Sequence, residues 1–563
     1  MKKIVLLSLV SSFILAVDVP PPPPPEDSSV IEKKLQELKK IQEPQKAKID
    51  KLKIEKNTQG KSEVHIKQVK FLLKNLQIVG NTVFPKEKII KIVKPYVGKY
   101  ITSKDLKEIA EKITMLYHKA GYLTSKCVIP PQKVVNGTVK LQIIEDKLAK
   151  IIIVGSNAIY YNQNIFMRYL YDLQGKVLNL KELNYRLKLL TYLPVTKITP
   201  VLKKVKEGYT VLILKITEAK QLNYISVDNS GSEYTGVYRI NFGGNINNIR
   251  GVSDSLKINV LTVQNPKYLG AVTFNYITPY GDEGARYIFG YSNMYYQLDP
   301  DEVGTDTVIY EGGSETLSIS YTKPLMVRTL KTAQLSYKFG IEKKTVTSKT
   351  VLNSDGSLLV DGEDKTFVVF AGIDFLKADR VFTNYSALNK VSLTLKQALE
   401  GVFGSMTSED LKRKENDTTF PISGPIKYGG DLDPSFTKLY YDFSRTQKLP
   451  KKFSLKLSLS GDYTRHRIPQ SYEYAGHDWG YGYSVSLSKK IFWDIDSTLS
   501  VSQSVVYDYD EDGDLHKDAN APGAGISLSK TYKNFYAKLS YTTSFATWDY
   551  NNNNLRFLLK YSW

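Results

Sequence analysis

The feature that most constrains the fold is a strict alternation of apolar and polar residues in the C-terminal part of the chain, from Leu222 to Trp563. A period of two is that of a β-strand, whose successive side chains point to opposite faces. Clear examples lie in residues 256–260, 272–276, 335–341, 367–375, 439–443 and 453–459. One apolar and one polar face predict a membrane barrel with lipid outside and water inside. A soluble β-sandwich has the same period, so the alternation alone leaves both open.

The first residues resemble an export signal. Lys2 and Lys3 precede an apolar stretch from Ile4 to Leu15, which Ala16 follows. An apolar core of about 12 residues suits a secretory signal peptide and is too short to span a bilayer as a helix. We therefore expect a signal peptide at residues 1–16, rather than a frayed N-terminal core helix.

Several features favour the barrel over the sandwich. The chain carries an export signal, and residues 221–563 divide into about 16 antiparallel strands with their connections. No later segment approaches the roughly 18 apolar residues of a membrane helix, so a membrane crossing requires a closed barrel. The chain also ends on an alternating strand whose terminal aromatic residues, Tyr561 and Trp563, resemble the C-terminal signal of bacterial outer-membrane barrels.

The connections of the expected barrel differ in length, as they do in membrane barrels. Long polar connections are predicted at residues 299–314, 343–365, 401–434 and 508–522, and short ones at 279–282 and 532–534. We expect the long set to face the outside of the cell.

Three short segments precede the folded units. A Pro-rich spacer is predicted at 17–29, because Pro20 to Pro25 favour a stiff polyproline II helix. An amphipathic helix is predicted at 30–43, and a polar linker at 44–68. The apolar face of that helix consists of Ile31, Leu35, Leu38 and Ile41.

Residues 69–146 and 147–220 repeat one order of elements, β-α-α-β-β. In the first unit, Thr102 to Asp105 form a capping box that starts the second helix. The period of about 75 residues exceeds that of solenoid repeats and indicates two tandem α+β domains. The single cysteine, Cys127, cannot form an internal disulfide and is expected to be a buried strand residue rather than a redox group.

The net charge of +20 is concentrated in the N-terminal part. Residues 30–220 hold about 38 lysines and arginines against about 16 acidic residues, and the remainder is close to neutral. An exported chain meets no genome, so we expect no nucleic-acid partner. Either the positive charge of residues 30–220 attracts an acidic client, or the lysines of this part are solvated and have no binding role.

Several stretches resemble one known family. Residues 121–132 read GYLTSKCVIPPQ and residues 137–145 read GTVKLQIIE; further similarity lies in 227–236 and 251–254. These stretches resemble the outer-membrane transporters of two-partner secretion, the hemolysin secretion/activation proteins. The resemblance implies a first POTRA domain at 69–146, a second at 147–220 and a barrel at 221–563, with the amphipathic helix as a plug inside the barrel.

The resemblance also implies a function. Such a transporter captures a large secreted exoprotein of the adhesin or cytolysin type and passes it through the barrel lumen without ATP. The POTRA sheets would bind the client as an extended strand by β-augmentation. The expected client-binding residues are Val139, Leu141, Ile143, Tyr209, Val211 and Ile213. Other expected partners are outer-membrane lipid and the barrel-assembly machinery. The alternative is a related protein that inserts barrels into the membrane.

One departure from the family concerns the sixth extracellular loop, whose tip carries an arginine inside the lumen. The matching tip is predicted at Gly476, Asp478, Tyr481, Gly482 and Tyr483, with Asp508 as its partner on the following strand. Tyr481 stands where the arginine is expected, and it lacks the guanidinium fork of an ion pair. Either Tyr481 forms a hydrogen bond instead, Arg465 or Arg467 substitutes, or the loop is held differently.

The sequence shows no enzymatic motif. Asp508, Asp510 and Asp512 have the spacing of half a calcium loop, but Ala519 stands where the bidentate glutamate would be. A solvated acidic loop is therefore favoured over a calcium site. We expect a transporter without enzymatic activity and without a cofactor.

We predict that deleting residues 31–41 raises the ion conductance of the reconstituted barrel, because the helix is expected to occupy the lumen. Single-channel recordings in planar bilayers measure this effect. Deleting an equal length of the linker, residues 57–67, serves as the control. Equal conductance of the two deletion variants would show that the helix does not obstruct the pore.

Overall fold

The computed structural model describes residues 48–50, 52–55, 70–155, 163–193, 195–218, 223–304, 307–325, 333–381, 384–413, 422–424, 426, 432–473, 477–510, 514–519, 522–544 and 554–563. The expected signal peptide, Pro-rich spacer and amphipathic helix, including Ile31, Leu35, Leu38 and Ile41, lie outside these residues. We call residues 70–218 the arm.

The first unit of the arm is an α+β domain. Two short strands precede it, β1 (Lys48–Ile49) and β2 (Lys53–Glu55). The unit contains β3 (Phe71–Leu72), β4 (Asn75–Val79), β5 (Tyr100–Ile101), β6 (Lys126–Val128) and β7 (Thr138–Ile144), with helices at Lys86–Val93, Lys94–Tyr96 (3-10) and Ser103–Ala120. The predicted capping box is present, since the Thr102 side chain accepts from the Asp105 N–H. Ile109, Ile113 and Leu141 form the centre of the core.

The second unit follows after only two residues. Its strands are β8 (Lys147–Gly155), β9 (Val195–Lys206) and β10 (Tyr209–Glu218), and its helices are Gln163–Leu170, Tyr171–Leu173 (3-10), Leu180–Leu189 and Leu190–Tyr192 (3-10). The sheet order is β9-β10-β8, with β1 and β2 both parallel to the outer edge of β9. Part of the expected linker is thus an edge strand of the second unit.

Hydrogen bonds fasten the two units to each other. The Leu180 N–H, at the start of one helix, donates to Gly121 O at the end of another. At the two-residue junction, Thr210 Oγ1 donates to the buried Asp146 at 2.6 Å, and the Asp146 N–H donates to Ser125 Oγ. Burial raises the pKa of the Asp146 carboxyl. These contacts hold the arm as one body.

The described residues from 223 onward form a closed barrel, as predicted. Within the described residues its wall has sixteen antiparallel strands. They are β11 (Tyr224–Asp228), β12 (Arg239–Asn247), β13 (Ser255–Val263), β14 (Leu269–Tyr280), β15 (Ala285–Gln297), β16 (Val308–Pro324), β17 (Ala333–Leu352), β18 (Leu358–Asp379), β19 (Ala387–Ala398), β21 (Thr437–Lys448), β22 (Ser454–Tyr463), β23 (Trp479–Lys490), β24 (Asp496–Tyr509), β26 (Gly523–Tyr532), β27 (Phe535–Ser544) and β28 (Asn554–Ser562). Two shorter strands, β20 (Ile422–Gly424) and β25 (Leu515–Ala519), are additions to β18 and β24.

The barrel closes between its first and last strands, with Tyr224 opposite Ser562 and Asp228 opposite Leu558. Apolar residues such as Leu317, at 55% exposure, lie on the outer face, whereas Asn259 and Lys438 are buried inside. A sandwich would bury the apolar face. The outward apolar surface therefore excludes that alternative.

The predicted connections are partly wrong. Residues 343–365 were expected to form a long loop, yet β17 and β18 extend across them and leave only 353–357 as a turn. The ladder of backbone hydrogen bonds continues above the membrane, where neither face needs to be apolar. Likewise, β16 begins inside the expected 299–314 connection, and β25 lies inside 508–522.

The remaining helices lie in connections between the barrel strands. They are Pro300–Val303 and Ser408–Arg413, with 3-10 turns at Val402–Gly404, Pro450–Lys452, Gln470–Tyr472 and Phe492–Asp494. Across the described part of the chain, no helix combines the length and apolar character needed to cross a membrane.

We predict that Cys127 resists maleimide in the folded protein and reacts fully after unfolding. The thiol is buried in the first unit, and burial raises its pKa to about 12, so almost no thiolate is available. Mass spectrometry after timed labelling measures the reaction. The control moves the cysteine one position to the exposed Lys126, as Lys126→Cys with Cys127→Ser, and should be labelled quickly. Similar labelling rates for the two folded proteins would contradict the prediction.

Candidate functional site

A connection between β22 and β23 lies inside the barrel; we call residues 464–478 the lumen loop. Ile468 and Tyr472 of this loop are buried. They pack with Val368, Ala398 and Phe436 of the barrel into one cluster. The cluster places the middle of the lumen loop against the inner wall and not in the external solvent.

Two wall lysines hold the main chain of this loop. Lys438 Nζ donates to Tyr472 O at 2.6 Å and to Asp478 O at 2.9 Å. Lys344 Nζ donates to Ser471 O at 2.6 Å. Both lysines point inward because the alternate residues of β17 and β21 lie on the outer face of the barrel. Charged donors form stronger hydrogen bonds than neutral ones, so these contacts tie the loop firmly to the wall.

A second set of contacts holds the side chain of Tyr472. Its hydroxyl donates to Glu342 at 2.5 Å, and Lys396 forms an ion pair with the same carboxylate at 2.8 Å. The ammonium groups of Lys396 and Lys344 also lie 5.0 and 5.3 Å from the centre of the Tyr472 ring. Tyr472 is therefore held by a hydrogen bond to a charged acceptor and by cation–π contacts.

Lys438, which holds the main chain of the loop, also forms an ion pair with the barrel wall. Lys438 is fully buried and lies 3.2 Å from the Asp462 carboxylate at the end of β22. Removing one member of a buried ion pair leaves an uncompensated charge and costs about 3–5 kcal/mol. We call Lys344, Lys438, Asp462, Glu342 and Tyr472 the lumen clamp.

The C-terminal end of the lumen loop is fixed by Asp478. Its carboxylate accepts from the N–H groups of Ile468 and Tyr509, each at 2.9 Å. Its own N–H donates to Asp508 at 3.0 Å, and Asp508 also contacts His477. The predicted partner Asp508 thus does touch the lumen loop, through main chain and His477 rather than through an arginine.

The predicted loop tip is only partly a loop. Tyr481, Gly482 and Tyr483 lie in strand β23, so their assignment to the tip is wrong. The strand already begins at Trp479, because the Trp479 and Tyr507 rings stack at 3.8 Å and extend the pairing of β23 with β24. Gly476 lies outside the described residues. Lys344 and Lys438 of the lumen clamp hold the described part of the loop to the wall.

Sequence analysis did not identify the clamp. Lys344, Lys438 and Glu342 are single charged residues within alternating strands, and many inward positions of a barrel are polar. A charged residue at an inward position could be recognised, but its contact with a particular loop could not.

The predicted client-binding residues lie on central strands. Val139, Leu141 and Ile143 belong to β7, between β4 and β6, and their side chains are buried. Tyr209, Val211 and Ile213 belong to β10, between β8 and β9. Their main-chain groups are already paired, so these residues cannot accept an added strand and the assignment is wrong.

The available strand edges are elsewhere. In the second unit, β1 and β2 cover β9, while the described residues leave the outer edge of β8 open beyond Leu148. Ile152 and Val154 on β8 are 39% and 47% exposed. Exposed edges with apolar side chains are usually avoided because they attract further strands. In the first unit, β4 and β6 are the outer strands.

The described aspartates at the end of β24 contact histidines. Asp508 contacts His477, and Asp510 accepts from the Asp514 N–H and contacts His516 at 2.8 Å. Asp512 lies outside the described residues. Among the residues that are described, no three His, Cys, Asp or Glu side chains are grouped to hold a metal ion.

Known proteins are similar to both the arm and the barrel. Residues 71–146 match the ShlB-type POTRA domain, and residues 208–476 match the haemolysin secretion/activation protein family ShlB/FhaC/HecB. The heme/hemopexin transporter protein HuxB of Haemophilus influenzae (strain 86-028NP) is 24% identical over 504 residues, which cover 84% of this chain and 82% of HuxB.

Two solved structures share the fold. CdiB from Escherichia coli has a TM-score of 0.68 at 15% identity and covers 96% of this chain and 99% of its own. CdiB from Acinetobacter baumannii has a TM-score of 0.61 at 18% identity, with 96% and 98% covered.

A closed sixteen-stranded barrel with a POTRA arm defines an outer-membrane protein transporter whose POTRA domains lie in the periplasm. The chain belongs to the haemolysin secretion/activation protein family, the transporters of two-partner secretion. Its partner is a large secreted protein.

We predict that Tyr472→Phe increases the open probability of the pore, because it removes the hydrogen bond to Glu342, which is worth about 1.5–3 kcal/mol. The measurement is single-channel conductance in protein lacking residues 31–41, so that the expected plug helix does not mask the effect. Tyr481→Phe removes a hydroxyl outside the clamp and should change nothing. An unchanged open probability in Tyr472→Phe would show that this bond does not hold the lumen loop.

Proposed function

We propose that the transporter captures its secreted partner at the edge of β8 and passes it through the lumen after the lumen loop has left the wall. The observation that carries this proposal is the open β8 edge with its exposed Ile152 and Val154. An extended client strand pairs with the main chain there, so capture depends little on client sequence. The apolar side chains add burial of about 25 cal/mol per Å².

The lumen clamp supplies the second step. Passage of a chain requires the lumen loop to move, and hydrogen bonds and ion pairs allow that movement without covalent change. When the loop moves away, each charged group of the clamp remains in a polar, water-accessible lumen. This lowers the free energy needed to break the clamp contacts. The movement is therefore reversible, and the proposed cycle requires no ATP.

The positive charge of the arm favours the approach of the client. Lys147 and Lys150 are exposed on β8 itself. A surface of one sign raises the rate of encounter with an oppositely charged client. We propose an exoprotein of the adhesin or cytolysin type whose captured segment is acidic, and no nucleic-acid partner. We further propose no enzymatic activity.

Two further proposed partners interact with the barrel itself. We propose that outer-membrane lipid surrounds the apolar outer face, and that the barrel-assembly machinery recognises the last strand through Tyr561 and Trp563. Tyr561 on β28 and Trp563 directly after it are both exposed, and their rings stack with centroids 5.7 Å apart. The barrel-insertion alternative is less well supported, because both family models and HuxB point to two-partner secretion.

We predict that one of two proline substitutions, Ile152→Pro or Ile153→Pro, weakens client binding while the arm stays folded. Adjacent N–H groups of a strand point to opposite sides, so one substitution removes a donor from the outer edge and the other from the ladder with β10. The edge variant should bind the N-terminal region of the client at least about tenfold more weakly, a loss of about 1.4 kcal/mol.

Circular dichroism identifies which variant remains folded, and surface plasmon resonance measures its binding. Ile152→Ala and Ile153→Ala control for the lost side chains. Repeating the titration at rising salt separates the electrostatic contribution, which weakens as the Debye length falls below about 10 Å. A folded edge variant that binds the client normally would move capture away from β8.

A further inference from the structure

A cavity of about 150 Å³ lies where the second POTRA domain meets the periplasmic end of the barrel. The helix Gln163–Leu170 contributes Arg168 and Tyr169 to its lining, and the barrel contributes Arg250 and Thr278. The volume is several times the space that one water molecule needs. The cavity therefore has room for a small polar group.

An unsatisfied hydroxyl belongs to this lining. The Tyr169 side chain is 1% exposed, and its hydroxyl has no hydrogen-bond partner among the residues that the structure describes. A buried polar group without a partner costs about 1–3 kcal/mol, and buried tyrosine hydroxyls usually find one. The hydroxyl thus points to a bound acceptor that completes the site.

The charges around the cavity favour an anion. Within the described part of the chain, the Arg168 guanidinium has no hydrogen-bond or ion-pair partner. Arg250 donates Nε to Asp254 at 3.1 Å and Nη2 to Thr278 at 3.0 Å, which neutralises that aspartate. The other nearby carboxylate, Asp282, lies 3.9 Å from Arg186. The exposed Arg168 guanidinium is therefore available to an anion, and the buried Tyr169 hydroxyl lines the same cavity.

The position of the cavity relates it to the membrane. Thr278 lies on the same outer face of β14 as Tyr280, which is 57% exposed. Tyr280, Tyr287 and Tyr321 form a ring cluster, with centroids of successive rings 5.3 and 5.2 Å apart. Aromatic girdles of membrane barrels mark the level of the lipid headgroups. The cavity therefore lies beside the headgroups of the periplasmic leaflet.

We propose that this cavity binds the phosphate group of a phospholipid of the inner leaflet. Arg168 and Arg250 contact the phosphate oxygens, as guanidinium groups commonly do, and the Tyr169 hydroxyl donates the third hydrogen bond. Ile165 and Pro279, which also line the cavity, lie against the carbon atoms of the headgroup. The bound lipid fastens the second POTRA domain to the membrane surface and fixes the direction of the arm.

The test measures binding of a short-chain phosphatidylglycerol (dihexanoyl) to the full-length protein in neutral detergent, by native mass spectrometry. Tyr169→Phe removes only the hydroxyl, and Arg168→Gln removes the free charge. We expect each to weaken binding at least about fivefold, the effect of one lost hydrogen bond to a charged group. Lys176→Gln removes one exposed charge from the same domain and should bind as the unmodified protein does.

A parallel titration with inorganic phosphate distinguishes the source of the anion. We expect phosphate to compete weakly, because it lacks the carbon atoms that contact Ile165 and Pro279. Phosphate that binds as tightly as the lipid would overturn the lipid assignment. The proposal also fails if Tyr169→Phe and Arg168→Gln both bind lipid normally, or if Lys176→Gln loses as much affinity as Arg168→Gln.

Discussion

The structure depends on one requirement: inside a lipid bilayer every backbone N–H and C=O group must be paired within the protein. The pairing of β28 with β11 satisfies this requirement for the first and last strands. Once the ladder of hydrogen bonds is closed, one face of each barrel strand points outward and the other points into the lumen, so the two faces meet different surroundings. Apolar residues such as Leu317 lie on the outer face, and charged residues such as Lys438 lie on the lumen side.

The lumen clamp follows from that separation. A lysine placed inward near the middle of the wall needs partners, since a buried and unpaired ammonium group is costly. Lys438 finds them in Asp462 and in the carbonyls of Tyr472 and Asp478. The same contacts fill the lumen with the loop. The contacts that stabilise the charged wall therefore also hold the loop in the pore. A client that replaced the loop in those contacts would open the pore.

The sequence allowed the barrel, the two α+β units and the number of strands to be predicted, because the period of an element is a local property. The clamp could not be predicted, because Tyr472 and Glu342 are 130 residues apart and their contact depends on closure of the barrel. The client-binding residues were misplaced for a related reason. The cleanest alternation belongs to β7, which is buried on one face and central in its sheet, whereas an edge strand such as β8 alternates less regularly.

The arm transmits capture to the barrel because its two domains cannot turn independently. The Leu180–Gly121 hydrogen bond and the buried Asp146–Thr210 contact would both be lost in a hinge motion. The ion pair between the arm and the barrel is weaker: Arg186 and Asp282 are 3.9 Å apart, and the Asp282 side chain is half exposed. An exposed pair of this length is worth at most about 1 kcal/mol. A phospholipid bound in the Arg168 cavity, which lies at this contact, would strengthen the contact and hold the arm in one direction.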